Sequence, residues 1–122
     1  MSYFFDTYAL VEFTGGNKNY VNLFKEGGIT TKLNLMELYY QLLRKVGKKI
    51  AEKVYARFIA NVVDFDDETI KEAMEFRLKM RQKDKDFSYV DAIGYIVAKK
   101  NRVKFLTGDK EFRGLKNVEF VK

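Results

Sequence analysis

The chain contains no cysteine, histidine, proline or tryptophan. Without cysteine and histidine, disulfides, thiolate nucleophiles, Ser-His-Asp triads and the usual zinc sites are excluded, since each needs one of those side chains. Acid–base chemistry run by this chain alone falls to carboxylates, lysines or tyrosines. A donor set of carboxylates and water suits a hard ion such as Mg²⁺ or Mn²⁺. No stretch matches the GxxxxGK phosphate loop, so use of nucleoside triphosphates is not expected. Long apolar runs are also lacking; the longest are a few residues, against the roughly 20 needed to cross a bilayer. The start, Met1 to Asp6, lacks the basic region and apolar stretch of a signal peptide. The expectations are therefore no membrane and a cytoplasmic location.

What is present describes a folding sequence. Apolar residues make up 47% and aromatics 16% of 122 residues, which suits a single domain over 1–122 with its own core. Lysine and arginine number 23 against 17 acids, a net charge of +6. The excess permits an anionic partner without specifying one. Its densest groups are Arg44-Lys45 with Lys48-Lys49, Lys79 to Lys85, and Lys99-Lys100 with Arg102 and Lys104. Each also reads as the solvated face or end of a helix.

The pattern alternates between strands and helices. Tyr3-Phe4-Phe5 reads as a short buried strand ending at Asp6, and residues 7–26 as two helical pieces broken at Gly15-Gly16. Ile29-Thr30-Thr31 is β-branched and predicts a second strand. Apolar positions 35, 38, 42 and 46 have helical spacing, and Ile50, Val54 and Phe58 continue it after Gly47. Asn61 to Phe65 predicts a third strand, and Asp66-Asp67-Glu68 an acidic first turn for the next helix. A helix from about Tyr89 to Lys100, a strand over Val103–Leu106 and another over Val118–Val121 complete the series. Such alternation implies an α/β fold, with a mainly parallel sheet covered by helices on both faces.

In open parallel sheets, ligands bind beyond the carboxyl ends of the strands. Asp6 directly follows the first strand, and Asp109 lies three residues after Leu106. Glu37 and Asp91 fall in opening turns of predicted helices. All four can meet at one sheet edge, yet each alone also reads as a cap. Asn34 to Glu37 and Ser88 to Asp91 have capping-box spacing, while Asp6 and Asp109 suit N-caps.

Taken together, the four segments resemble the PIN-domain family, which includes the VapC-type toxins of toxin–antitoxin pairs. Phe4-Phe5-Asp6-Thr7 resembles the opening motif; Ile29-Thr30-Thr31 with Leu35-Met36-Glu37-Leu38 is similar to the second. Asp91-Ala92-Ile93, with Ala98, resembles the third, and Phe105 to Phe112 followed by Val118 to Val121 resembles the close. The likeness runs from end to end, with no acid missing. It implies a three-layer α/β/α fold whose five parallel strands are ordered 3-2-1-4-5. It further implies a metal-dependent endoribonuclease with Asp6, Glu37, Asp91 and Asp109 as the catalytic, Mg²⁺- or Mn²⁺-holding acids. Thr7 and Thr107 match supporting hydroxyl positions.

Clustered carboxylates repel one another unless a cation intervenes, so such a site implies a divalent ion able to activate water for attack on phosphorus. Asp6 and Asp91 are the expected direct ligands, Asp109 ligates directly or through water, and Glu37 binds through water or moves a proton. Basic residues must hold RNA around an acidic cleft, and Lys32, Lys110 and Arg113 are the candidates. The resemblance to the toxin type implies a homodimer held inactive by an antitoxin protein. A housekeeping PIN nuclease of RNA processing and a non-catalytic PIN-like binding module are the alternatives. A phosphorelay receiver is disfavoured because only Asp6 follows the first strand, and a haloacid-dehalogenase phosphatase because Tyr8 stands where its second aspartate belongs.

Overall fold

A computed structural model of the chain describes residues 2–122. Strand β1 (Tyr3–Phe5) leads into helices α1 (Thr7–Thr14) and α2 (Lys18–Lys25), then β2 (Gly28–Ile29), α3 (Lys32–Lys45) and α4 (Lys48–Phe58). A 3-10 turn at Ile59–Asn61 precedes α5 (Asp67–Arg81), α6 (Tyr89–Lys100) and β3 (Lys104–Thr107). A second 3-10 turn, Lys110–Phe112, connects β3 to β4 (Val118–Phe120). The α1–α2 break falls at the predicted glycine pair, where Gly15 caps α1 and Gly16 adopts a φ of 88°.

The sheet has four strands in the order β2-β1-β3-β4, every pair parallel. Phe4 stands opposite both Ile29 and Phe105, so β1 lies centrally. The predicted third strand over Asn61–Phe65 is the main departure. Among the described residues it shrinks to one parallel bridge, Thr30 to Val62, held by Thr30 N–H to the Asn61 carbonyl and Val63 N–H to the Thr30 carbonyl. Asn61 belongs to the preceding turn and spends its side-chain amide on the Gly28 carbonyl, which leaves too little extended chain for a ladder. Placed beside β2, this remnant keeps the 3-2-1-4-5 arrangement while the count falls from five strands to four.

Other boundaries shift for local reasons. β2 starts one residue before the predicted Ile29 and stops there, because Thr31 becomes the N-cap of α3 and accepts from Asn34 N–H at 3.3 Å. The capping-box reading of Asn34 with Glu37 is thus corrected: Asn34 is buried inside the first turn. Val46 completes the predicted apolar stripe in sequence, but it is the C-cap of α3 and 51% exposed. β3 runs through Thr107 rather than ending at Leu106.

Two cores sandwich the sheet, as the period-two geometry of strands requires. Phe4 and Phe105 face one side and pack with α5, α6 and Phe112. Tyr3, Phe5 and Leu106 face the other, against α1, α2, α3 and α4. The result is three layers, α/β/α. α6 reaches the sheet closely because Gly94 has no side chain: a Cβ there would stand 2.9 Å from Phe4 Cε1 and 3.2 Å from Phe105 Cε1. That contact fixes the helix carrying Asp91 over the strands that lead to Asp6 and Asp109.

Candidate active site

Asp6 is the first residue past the carboxyl end of β1 and only 3% exposed. Its Oδ1 accepts the Ala9 N–H at 2.7 Å, which caps α1. Burial raises its pKa from 3.8 to about 8, against the lowering effect of hydrogen bonds from the Thr107 side chain and Ala9; the negative charges of Asp91 and Asp109 push it further up. Near neutral pH this carboxyl therefore holds a proton unless a cation compensates it.

The other acids gather at the same edge. Asp109 caps the turn after β3, its Oδ1 accepting the Glu111 N–H at 3.0 Å. The Thr107 hydroxyl ties this acid to Asp6: it accepts the Asp109 N–H at 3.0 Å and hydrogen-bonds the Asp6 carboxyl. Asp91 sits in the first turn of α6, in a reciprocal capping box with Ser88. Burial raises its pKa first of all; the Ser88 hydrogen bonds oppose this, and Asp109 and Glu37 add to it. Glu37, in the second turn of α3, accepts the Thr7 hydroxyl proton at 2.6 Å through Oε1.

Glu37 is anchored by a chain of polar contacts. Thr31 Oγ1 donates to Asn34 Oδ1 at 2.6 Å, and Asn34 Nδ2 donates to Thr7 Oγ1 at 3.1 Å. Asn34 is 2% exposed, so removing its amide takes one hydrogen bond from each of the Thr31 and Thr7 hydroxyls in a buried setting. Asn34→Ala should cost about 1–3 kcal/mol in urea unfolding; an unchanged midpoint would show that the chain carries no weight.

Asp6, Thr7, Glu37, Asp91 and Asp109 thus line one open cleft of about 480 Å³. Capping and convergence coexist, since Asp6, Asp91 and Asp109 each act as a cap and still face the cleft. Tyr8, Tyr40, Gln41, Arg44 and Ser88 complete the lining, and none of these was singled out as a site residue from sequence. Spacing held a signal for three of them: Tyr40, Gln41 and Arg44 stand three, four and seven residues after Glu37, on one helix face. Gly108 admits the Tyr8 ring, whose Cζ would lie 2.7 Å from a Cβ at that position. Lys32, Lys110 and Arg113 are exposed but do not line the cleft, and Arg113 stacks over Phe120 at 5.1 Å. A separate cleft of about 320 Å³ among Phe5, Phe13, Phe24 and Phe58 is lined by no acid.

The residues suit a hard divalent ion in kind: four carboxylates, two hydroxyls and no nitrogen or sulfur ligand. Among the described residues no three acids converge tightly enough to grip one ion by themselves. That arrangement still fits Mg²⁺, which keeps several waters and uses one or two carboxylates together with substrate phosphates. The raised pKa of Asp6 fits such an ion, because burial first and the charges of Asp91 and Asp109 second disfavour its ionised form, which a bound cation would offset.

The fold has solved counterparts. The DNA-bound VapBC complex from Salmonella typhimurium aligns with a TM-score of 0.78 and 16% identity, covering 99% of this chain and 97% of that one. VapBC2 from Rickettsia felis, bound to a promoter DNA fragment, aligns with a TM-score of 0.75 and 19% identity over 99% and 98%. The VapC toxin from Mycobacterium tuberculosis described as cleaving the sarcin–ricin loop aligns at 0.72 and 22%, over 96% and 98%. No curated protein matches in sequence. Among the described residues no helix is long and apolar enough to cross a membrane. The sequence model of the PIN domain matches residues 3–118, taking in β1 and its terminal Asp6, α3, α6 and the Thr107-Gly108-Asp109 turn. With that match spanning nearly the whole chain, and the sheet order agreeing with it, this protein belongs to the PIN-domain family.

Proposed function

We propose that the protein is a Mg²⁺- or Mn²⁺-dependent endoribonuclease, a single cytoplasmic domain that serves as the toxin of a toxin–antitoxin pair. One observation carries the reading: four acids distant in sequence line one cleft at the carboxyl end of a parallel sheet, and burial holds the innermost of them, Asp6, toward its neutral form. The toxin assignment draws support from the solved VapBC complexes that share the fold. It brings an antitoxin protein and a homodimer as the expected partners.

Asp6, Asp91 and Asp109 are the side chains that would hold the ion, one or two of them directly and the rest through its waters. Once bound, a divalent ion polarises the phosphoryl oxygens and offsets charge that develops on them. The protein's own groups arrange the rest. Thr107 keeps Asp6 and Asp109 in register, while the Ser88 capping box fixes Asp91. Glu37 has Oε1 committed to Thr7, which leaves Oε2 to accept a proton from the attacking water. The water oxygen bonds to phosphorus and its proton goes to Glu37; the bond to the leaving oxygen breaks with its electron pair, and that alkoxide takes a proton from solvent. Lys110 and Arg113, just past Asp109, and Lys32 at the start of α3 are the outer contacts for RNA phosphates. The test is to incubate the pure protein with total RNA, with Mn²⁺ or with chelator, and to map the ends. Discrete Mn²⁺-dependent cuts support the reading; RNA left intact under both conditions contradicts it.

A further inference from the structure

Arg44 is a cation on the lining of an otherwise acidic cleft, and the proposed outer contacts Lys32, Lys110 and Arg113 all lie off it. It shares one face of α3 with Glu37, Tyr40 and Gln41, two helical turns beyond the acid. Its guanidinium stands over the Tyr40 ring, 5.7 Å from the centroid. Tyr40 is nonetheless 62% exposed and hydrogen-bonds no other residue in the described structure, so most of the ring lies open beside the cleft. A large exposed aromatic ring next to an arginine offers two things a nucleic acid strand needs: a flat surface for a base and a positive group for its phosphate.

We propose that Tyr40 and Arg44 bind the RNA nucleotide adjoining the scissile bond, with its base stacked on Tyr40 and its phosphate paired with Arg44. The inference rests on the nuclease reading above and adds where the strand leaves the acids: along α3 toward its carboxyl end. Arg44 itself favours a phosphate over a basic side chain of a protein partner, which it would repel, and the open Tyr40 ring beside it suits a base. Gln41, between the two in sequence, is also part of the lining.

Binding and cleavage are separable here. The test measures affinity for a short single-stranded RNA in an Asp6→Asn background, where nothing is cut, and compares Tyr40→Ala, Tyr40→Phe, Arg44→Ala and Arg44→Lys. Tyr40→Ala should weaken binding about tenfold and Tyr40→Phe much less, because the ring remains. Arg44→Ala should weaken it by a similar factor and lower the slope of log affinity against log salt by roughly 0.7, the loss of one phosphate contact on a single strand. Arg44→Lys should restore the slope. In the cutting protein, both alanine variants should raise KM rather than lower kcat. Unchanged RNA affinity in either alanine variant overturns the proposal, as does an unchanged salt slope in Arg44→Ala. A protein that binds RNA through these residues but never cuts it would overturn the nuclease reading alone. Both side chains are exposed, so melting curves of the variants should overlay that of the unsubstituted protein.

Discussion

Asp6→Asn should melt at a higher temperature than the unsubstituted protein at pH 8 in the presence of chelator, while its RNA cleavage falls by about a thousandfold or more. The two effects share one cause. Asp6 has a folded pKa of about 8 against an ordinary 3.8, so the folded state keeps the proton longer than the unfolded chain does. Below about pH 4 both states are protonated and the carboxyl imposes no penalty. As pH rises toward 8 the unfolded chain ionises first, and stability declines; above that the full cost of the buried charge is present. Asparagine keeps an oxygen for the Ala9 N–H and has no charge to bury. The gain should be about 2–4 kcal/mol at pH 8 and should vanish near pH 4, which in melting temperature is roughly 15 °C at the upper end. Parallel melting-versus-pH profiles for the two proteins would contradict this account of Asp6.

Phe105→Ala should have the largest effect on stability, a loss of about 3–5 kcal/mol in urea unfolding. Phe105 is fully buried on β3, between β1 and β4. Its ring lies 5.4 Å from that of Phe4, 4.5 Å from Phe112 and 5.9 Å from Tyr95. A cavity there opens under both α6 and the turn that bears Asp109, so the site loses its support along with the core. Domains hold only about 5–15 kcal/mol in all, which puts this variant near the limit of folding at 37 °C. Leu78→Ala is the control: Leu78 is 63% exposed, and its truncation should change stability by less than about 0.5 kcal/mol. A Phe105→Ala loss below about 1 kcal/mol would mean the two-core description is wrong.

Much of the fold was legible because its signals are local. Glycine pairs broke the first helices where expected; the aromatic run at 3–5 became a central strand, and the run predicted over 103–106 became the other, at 104–107. The Asn61–Phe65 segment misled because Val62-Val63 has strand composition, whereas strand formation depends on how much chain the preceding turn leaves free. Asn34 misled for a related reason. Two residues suited to capping, Thr31 and Asn34, lie three apart, and which one caps depends on burial that no sequence window displays. The edge to which the acids converge followed from topology, because strand ends and helix starts in a parallel sheet share one side. Arg44 was hidden by its neighbours: within Arg44-Lys45-Lys48-Lys49 it looks like one more solvated charge, and only its spacing from Glu37 distinguishes it.

Calorimetry of Mn²⁺ binding at pH 7, repeated in buffers of different ionisation enthalpy, reads the central claim directly, because it counts the protons released as the ion binds. An Asp6 that is mostly protonated at that pH must give up its proton to accept the ion, so the unsubstituted protein should release close to one proton per ion. Asp6→Asn should bind far more weakly and release none. Equal binding by both proteins, or binding without proton release, would contradict a divalent-ion site built around Asp6.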